Sequence, residues 1–167
     1  MKKHTTSIIL FFTNLLLAQA NYDVLPNLTL KTINGKNITI QSLIKDEPVL
    51  INFWATWCAP CKKEMRHLKH FDNKYSDLSI IAINVDKTRS LSQVRSVIRT
   101  NGYDFTVGLD PNSIIMNKLN ASVVPTNILV NSEGEIVWQH QGYLPGDEVE
   151  MEKQIKKLLQ IDSDIEN

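Results

Sequence analysis

The chain has 167 residues, and 18 lysines and arginines balance 18 aspartates and glutamates, so its formal net charge is zero. It lacks the basic excess that nucleic-acid-binding domains usually carry. A hydrophobic fraction of 43% with 22% charged residues is typical of a folded globular chain and argues against disorder. Two cysteines are too few for a disulfide-dense miniprotein, so they either staple one domain or carry out redox chemistry.

The N-terminal residues have the pattern of a secretory signal peptide. Residues 1–3 are Met-Lys-Lys, residues 8–17 are mostly apolar, and residues 18–20 are Ala-Gln-Ala, the small-residue pattern that signal peptidase recognises. The apolar stretch is short for a membrane span, which needs about 20 residues, so an uncleaved anchor is the less favoured alternative. We therefore expect residues 1–20 to be removed and residues 21–167 to form one domain in the periplasm or a similar extracytoplasmic space.

The rest of the chain alternates β patterns with amphipathic helical patterns, which is typical of a single α/β domain. The N-terminal hairpin is indicated by Asn34-Gly35 between two alternating segments. In chain order, the periodicity predicts a hairpin over 27–40, a buried strand over 49–56, a helix to about 75, a buried strand over 78–85, a helix over 90–100, a strand over 105–109, a helix from 110 to about 119, paired strands over 126–130 and 135–141, and a helix over 151–161.

The strongest chemical signal is Trp57-Cys58-Ala59-Pro60-Cys61, where a buried strand passes into a helix. Cysteines three residues apart on a first helical turn are close enough to form a disulfide. The free N–H groups and the positive dipole end of the helix favour a thiolate at Cys58. Pro60 suits the first turn, where its missing N–H would have no partner. A bridge that closes so small a loop adds little stability, so the pattern favours redox chemistry over a structural staple.

The stretch NFWATWCAPCKKEM, with Val124-Pro125-Thr126 and a closing hairpin and helix, resembles the thioredoxin superfamily. More narrowly, it resembles the TlpA/ResA-like exported thiol–disulfide oxidoreductases, which include the cytochrome c maturation thioredoxins. The resemblance covers about residues 25–160. It implies an α/β thioredoxin fold, in which a central mixed β-sheet is flanked by helices. The expected division is an N-terminal β-hairpin extension over 21–47, a core over 48–161 with an inserted helix and strand at about 90–109, and a frayed acidic tail over 162–167.

The same resemblance implies roles for individual residues. Cys58 resembles the exposed attacking thiol and Cys61 the buried resolving thiol, so the pair would cycle between a dithiol and a Cys58–Cys61 disulfide. Pro125 resembles the family's cis-proline, which faces the cysteines and keeps metals off them; a cis bond costs little only before proline. Val124 would offer its backbone to an extended substrate segment. The residues expected to contact substrate are Trp57, Ala59, Pro60 and Val124.

Two positions depart from the family's pattern. Plain thioredoxins have a buried aspartate six residues before the first cysteine, where this chain has Asn52, which cannot titrate. Glu64, one helical turn beyond Cys61, matches the acid that the ResA-like branch places there. We expect Glu64 to accept the proton of Cys61, and a solvated helix acid is the alternative. Arg66 stands where many relatives have proline, so this helix is expected to lack their kink.

The leading hypothesis is an exported protein-disulfide reductase with no cofactor besides its cysteine pair. The resemblance implies a membrane electron donor of the DsbD or CcdA type and exported disulfide-containing proteins as substrates, apocytochrome c among the candidates. A disulfide oxidase or isomerase is the alternative within the same chemistry. A copper-delivery module is the alternative from another class, although such relatives carry CxxxC. His67 and His70 lack the spacing of a standard zinc site, so no metal is expected.

Overall fold

The computed structural model describes residues 23–44 and 47–161, so the predicted signal peptide and acidic tail lie outside the described residues. Within these ranges, seven strands form one mixed sheet in the order β2-β1-β5-β4-β3-β6-β7. Parallel and antiparallel pairs meet at β3, which pairs in parallel with β4 and antiparallel with β6. The strands are β1 (Thr29–Thr32), β2 (Asn37–Thr39), β3 (Val49–Trp54), β4 (Ser79–Asn84), β5 (Thr106–Leu109), β6 (Thr126–Val130) and β7 (Ile136–Gln141).

Helices cover both faces of this sheet. In the described residues they are α1 (Gln41–Ile44), α2 (Ala59–Lys74), α3 (Leu91–Asn101), α4 (Ile114–Lys118) and α5 (Asp147–Leu158). One hydrophobic core joins the sheet to α2, α3 and α5, and a second joins its other face to α1 and α4. Alternate residues of β3 point to opposite faces, so Leu50 and Trp54 lie in the first core while Ile51 and Phe53 lie in the second. None of the helices in these two ranges is long and apolar enough to cross a bilayer.

The long helix α2 begins after the short loop 55–58 that follows β3, and it carries the cysteine motif at its N-terminus. Met65, Leu68 and Phe71, which helical spacing places on one face, are all buried against the sheet. Proline occupies the first turn, as the sequence predicted, and Cys58 caps the helix. The packing of this apolar face fixes the helix on the sheet and thereby places both cysteines at the end of β3.

The N-terminal hairpin is joined to the sheet by the inserted strand β5. Strand β1 pairs antiparallel with β5, with Thr32 opposite Gly108. A Cβ atom at Gly108 would overlap the side chain of Leu30, which is fully buried, so this close approach requires glycine. The hairpin and the inserted strand, separate in the sequence, therefore form one edge of the sheet.

Helix α4 begins later than predicted, at Ile114 instead of residue 110. The carboxylate of Asp110 accepts the N–H groups of Ile114 at 2.8 Å and Met116 at 2.9 Å. Asp110 therefore satisfies donors of the first turn from outside the helix, and the residues between form a turn.

Helix α5 spans Asp147–Leu158, whereas the sequence predicted 151–161. Its first turn holds three acidic residues, which the positive end of a helix dipole favours. The hydrophobic pattern starts only one turn later, so periodicity alone missed the beginning. The helix ends before Gln160, which has a positive φ of 53°.

Candidate active site

Cys58 and Cys61 form a disulfide at the N-terminus of α2, with their Cα atoms 5.3 Å apart. The sulfur of Cys58 accepts the backbone N–H of Cys61 at 3.1 Å. This hydrogen bond and the positive end of the helix both favour negative charge on that sulfur once the bridge is reduced. The predicted pairing is confirmed, and the surroundings favour a thiolate at Cys58.

The two sulfurs differ in their access to solvent, but less than expected. Cys58 is 4% exposed and Cys61 is 0% exposed. The expectation of an exposed thiol at Cys58 is wrong for the disulfide-bonded state, because Cys58 packs in the first core and the carbonyl oxygen of Val124 lies 3.7 Å from its sulfur. Cys58 is nevertheless the cysteine of the pair that reaches the surface.

The Val124–Pro125 peptide bond is cis, which confirms the prediction for Pro125. This loop is fixed on both sides of the bond. The carbonyl oxygen of Pro125 accepts the N–H of Gly142 at 2.7 Å, and the Thr126 hydroxyl donates to the carbonyl oxygen of Val123 at 2.6 Å. The loop therefore presents the half-buried Val124 and its carbonyl group to the disulfide.

An exposed apolar rim surrounds the covered disulfide. Trp57 is 69% exposed and Val123 is 49% exposed. Ala59 and Pro60 are also exposed, since they occupy the outer side of the first turn of α2. The structure thus brings all the residues predicted to contact substrate to the surface around Cys58.

Glu64, one helical turn beyond Cys61, is fully buried, so the alternative of a solvated helix acid is wrong. Its side chain points into the sheet, where two asparagines hold its carboxylate. Asn52 donates to Oε2 at 2.9 Å and Asn127 donates to Oε1 at 2.6 Å. The Asn52 amide group also donates to Asn127 Oδ1 at 2.9 Å, so the three side chains form a closed network. We call Glu64, Asn52 and Asn127 the carboxyl–amide network.

Burial raises the pKa of Glu64 from 4.5 to about 7. Desolvation is the main cause, because the charged form loses its water in this core. The hydrogen bonds from Asn127 and Asn52 lower the pKa in part, and the negative charge of Asp147 raises it. A carboxyl group with this pKa can hold or release a proton near neutral pH.

Sequence reasoning missed Asn127, although a signal was present. Asn127 is a polar residue inside the fully buried strand TNILV, and Asn52 is a polar residue inside the fully buried strand β3. The two residues are register partners in the antiparallel β3–β6 pair, so their side chains lie on one face. A buried polar side chain requires a partner, and two such residues on paired strands indicate a shared one.

A second buried carboxylate, Asp86, holds the segment that leads into the disulfide. It accepts the N–H of Thr56 at 2.7 Å and the Thr56 hydroxyl at 2.9 Å. Asn84 donates to the same carboxylate at 2.8 Å. We call Asp86, Thr56 and Asn84 the loop clamp. Because Thr56 stands two residues before Cys58, this clamp fixes the backbone that presents the cysteine.

The two histidines after the motif lie away from the sulfurs. His67 is partly exposed, and its ring lies 4.0 Å from the carboxylate of Glu148. His70 is exposed on the outer side of α2. Within residues 23–44 and 47–161, no three histidine, cysteine, aspartate or glutamate side chains come together as metal ligands.

A mixed sheet with a CxxC disulfide at the start of a long helix, opposite a cis-proline loop, defines a thioredoxin-fold protein. Comparison with known proteins gives the family. The Redoxin family model matches residues 19–159, so the chain belongs to the Redoxin family. The resemblance to the thioredoxin superfamily and the predicted fold class are therefore confirmed.

Individual relatives support this assignment. The chain is 37% identical over 116 residues to the thiol-disulfide oxidoreductase ResA of Bacillus subtilis (strain 168), covering 67% of this chain and 62% of that protein. It thus spans less than two thirds of the length of that relative. The crystal structure of a candidate thiol:disulfide interchange protein DsbE from Chlorobium tepidum matches with a TM-score of 0.76 and 25% identity, covering 85% of this chain and 99% of that one. The solution structure of a thioredoxin-like protein from Porphyromonas gingivalis matches with a TM-score of 0.70 and 31% identity, covering 81% of this chain and 92% of that one.

Proposed function

We propose that the chain is a thiol–disulfide oxidoreductase that reduces disulfides in exported proteins. The observation that carries the proposal is the Cys58–Cys61 disulfide at the N-terminus of α2, next to the cis Val124–Pro125 loop. The buried carboxyl–amide network behind the disulfide supplies the acid–base group that the chemistry needs. Similarity to proteins named thiol-disulfide oxidoreductase supports the same activity.

In the first step, the Cys58 thiolate of the reduced protein attacks one sulfur of the substrate disulfide. The substrate S–S bond breaks, a bond forms between Cys58 and the attacked sulfur, and the other substrate sulfur leaves as a thiolate. The Cys61 N–H and the helix dipole stabilise the attacking thiolate. The backbone of Val124 pairs with the substrate segment in an extended conformation, and Trp57 contacts its side chains.

In the second step, Cys61 resolves the mixed disulfide. Its thiol gives a proton to the carboxylate of Glu64, one helical turn away, and the Cys61 thiolate attacks the sulfur of Cys58. The bond between Cys58 and the substrate breaks, and the second substrate sulfur leaves as a thiolate. Two electrons have then passed to the substrate, and the Cys58–Cys61 disulfide is complete. A pKa of about 7 suits Glu64 to this transfer, since it can take up a proton near neutral pH.

The cellular setting rests on the sequence and on the relatives. The signal-peptide pattern supports export, and an oxidising compartment then requires a reductant to regenerate the dithiol. A membrane electron carrier of the DsbD or CcdA type is the proposed donor. Apocytochrome c is one candidate substrate, because the resemblance includes cytochrome c maturation thioredoxins.

Trapping tests the assignment of the two cysteines. The Cys61→Ser variant should accumulate mixed disulfides through Cys58, because the resolving thiol is absent. The matched Cys58→Ser variant should trap none, because its remaining sulfur is fully buried. Equal trapping by both variants would contradict the roles, and failure of the reduced wild type to reduce insulin would contradict the activity.

The reduction potential distinguishes a reductase from an oxidase. Equilibration with glutathione should give a potential near that of thioredoxin, about −270 mV. A reduction potential of about −120 mV, the value of the strong oxidant DsbA, would instead support the oxidase alternative.

A further inference from the structure

A groove runs between α2 and α3 on the outer surface, close to the redox pair. It has a volume of about 260 Å³, and its lining combines an apolar floor with a cationic rim. Met65, Val97 and Tyr103 form the floor, and Lys62 and Arg66 stand at the rim. The proposed chemistry of the cysteines uses none of these five side chains.

The cations at this groove have no carboxylate partner among the residues that the structure describes. Within the described residues, no carboxylate oxygen lies within 4.0 Å of Lys62 or Arg66, and both side chains are exposed. The opposite wall, helix α3, contains arginines but no acidic residue. Burial raises the pKa of the Tyr103 phenol, and the positive charge of Arg66, which lines the same groove, lowers it. The groove thus offers unpaired positive charge beside an apolar surface.

The other side of α2 has the opposite charge. There, the first turn of α5 carries Asp147, Glu148 and Glu150, and Glu148 lies 4.0 Å from His67. A negatively charged partner that approaches Cys58 is therefore attracted towards α3 and repelled from α5. This asymmetry defines the direction in which an acidic segment would lie.

The groove is within reach of a substrate held at Cys58. Lys62 is four residues beyond Cys58 and so lies on the same side of the helix. Arg66 follows one turn later, about 12 Å along the helix axis from Cys58 at 1.5 Å per residue. An extended peptide covers this distance in about four residues.

We propose that the α2–α3 groove binds an acidic segment of the substrate protein, about four residues from the disulfide that is reduced. Carboxylates of that segment pair with Lys62 and Arg66, and its apolar groups contact Met65 and Val97. This inference rests on the proposed function and adds a substrate preference to it.

Two disulfide-closed peptides test this preference. Their sequences are identical, except that an Asp-Glu pair stands about four residues from the cystine in one and Asn-Gln in the other. The reduced wild type should react roughly fivefold faster with the acidic peptide, the size that one or two exposed ion pairs give. The ratio of the rate with the acidic peptide to the rate with the neutral peptide should approach one in about 0.5 M salt, which screens exposed charges. This rate ratio should also fall when the Asp-Glu pair is moved next to the cystine, because the carboxylates then lie outside the groove.

Charge-reversal variants locate the effect. Arg66→Glu should bring the ratio of acidic to neutral rates below one, and taking the ratio within one variant cancels any change in thiol reactivity. Lys118→Glu is the matched control, because it makes the same charge change at an exposed residue of α4, across the sheet. That control should keep the wild-type ratio, and an equal loss in both variants would overturn the inference in favour of net charge.

The remaining outcomes separate the inference from the function on which it rests. Equal rates with both peptides would overturn the groove proposal and leave the reductase activity intact. Reduction of neither peptide would contradict the activity itself. Equal peptide rates, together with binding to phosphatidylserine vesicles that Arg66→Glu abolishes, would assign the groove to an anionic lipid surface instead.

Discussion

Two buried carboxylates flank the redox pair, and the protein holds them in different ways. Glu64 lies one helical turn beyond Cys61, and its hydrogen bonds within the described part of the chain come from the side-chain amides of Asn52 and Asn127. Asp86 lies at the end of β4 and accepts the N–H and the hydroxyl of Thr56. The first carboxylate is thus bonded to side chains, whereas the second is bonded to the backbone that leads into Cys58.

The difference indicates two uses of a buried acid. The carboxyl–amide network stabilises the charge of Glu64 incompletely, so desolvation raises its pKa to about 7, where a proton can move. The loop clamp is a positioning device, because it satisfies donors of the chain just before the disulfide. The network should therefore control pH dependence, and the clamp should control the stability of the loop.

Removing the clamp should have the largest effect. Asp86→Ala leaves the N–H and hydroxyl of Thr56 without their acceptor, and it removes the shorter of the two hydrogen bonds that the Asn84 amide donates. We expect a loss of about 3–4 kcal/mol in the free energy of unfolding, measured by urea denaturation of the oxidised protein. The control is Asp77→Ala, an exposed carboxylate whose loss should change stability by at most about 0.5 kcal/mol. Similar small losses for both variants would contradict the clamp.

The ionisation of Glu64 should make stability depend on pH. Because burial raises the folded-state pKa from 4.5 to about 7, the folded protein keeps a proton that the unfolded chain has released. Protonated Glu64 therefore stabilises the folded state at low pH, and this stabilisation is lost as the pH rises from 4.5 to about 7. Between about pH 5 and pH 8 the wild type should lose about 2–3 kcal/mol relative to Glu64→Gln. Parallel pH profiles of unfolding for the two proteins would contradict this assignment.

The hydrogen bond from Asn127 should determine the pH at which the loss of stability ends. Asn127→Ala removes the hydrogen bond that lowers the pKa of Glu64 most. The loss of stability ends at the folded-state pKa, so the upper end of its pH range should move up by about one pH unit, the equivalent of one hydrogen bond to a charged group. Asn73→Ala, at an exposed asparagine of α2, should leave that upper end unchanged. A downward shift in Asn127→Ala would mean that the amide does not stabilise the carboxylate.

The smallest effect is expected from one hydroxyl of the clamp. Thr56→Val keeps the shape of the side chain and the backbone hydrogen bond but removes the hydroxyl donor to Asp86. It should cost about 1 kcal/mol in unfolding free energy. Thr56→Ser keeps a hydroxyl and should recover most of that loss. If serine and valine were equally destabilising, the missing hydrogen bond would not be the cause.

The sequence predicted the motif and most strands because those signals are local. The apolar runs of β3 and β4 and the cysteine spacing are each contained in a few neighbouring residues. The cis bond before Pro125 came from the resemblance, and the structure confirms it. Helix boundaries were less predictable, because Asp110 caps α4 from outside and the acidic first turn of α5 breaks the apolar pattern.

The burial of Glu64 could have been predicted from its helical spacing relative to apolar residues. Glu64 stands three residues after Cys61 and four before Leu68, and both of those residues face the core. An acid in the middle of an apolar helical face is more often buried than its residue type suggests. The bond between Asn127 and Glu64 could not be read in this way, because 63 residues separate them and only the strand register aligns Asn127 with Asn52.

The resolution of the mixed disulfide tests the central claim most directly. Its rate should be measured against pH in the wild type and in Glu64→Gln, with a model disulfide substrate. The wild-type profile should change slope near pH 7, where Glu64 titrates. Glu64→Gln should be slower by roughly ten- to a hundredfold and should lack that change, because no buried base accepts the proton of Cys61. Identical rates and profiles in the two proteins would show that the proton goes directly to water and would contradict the account.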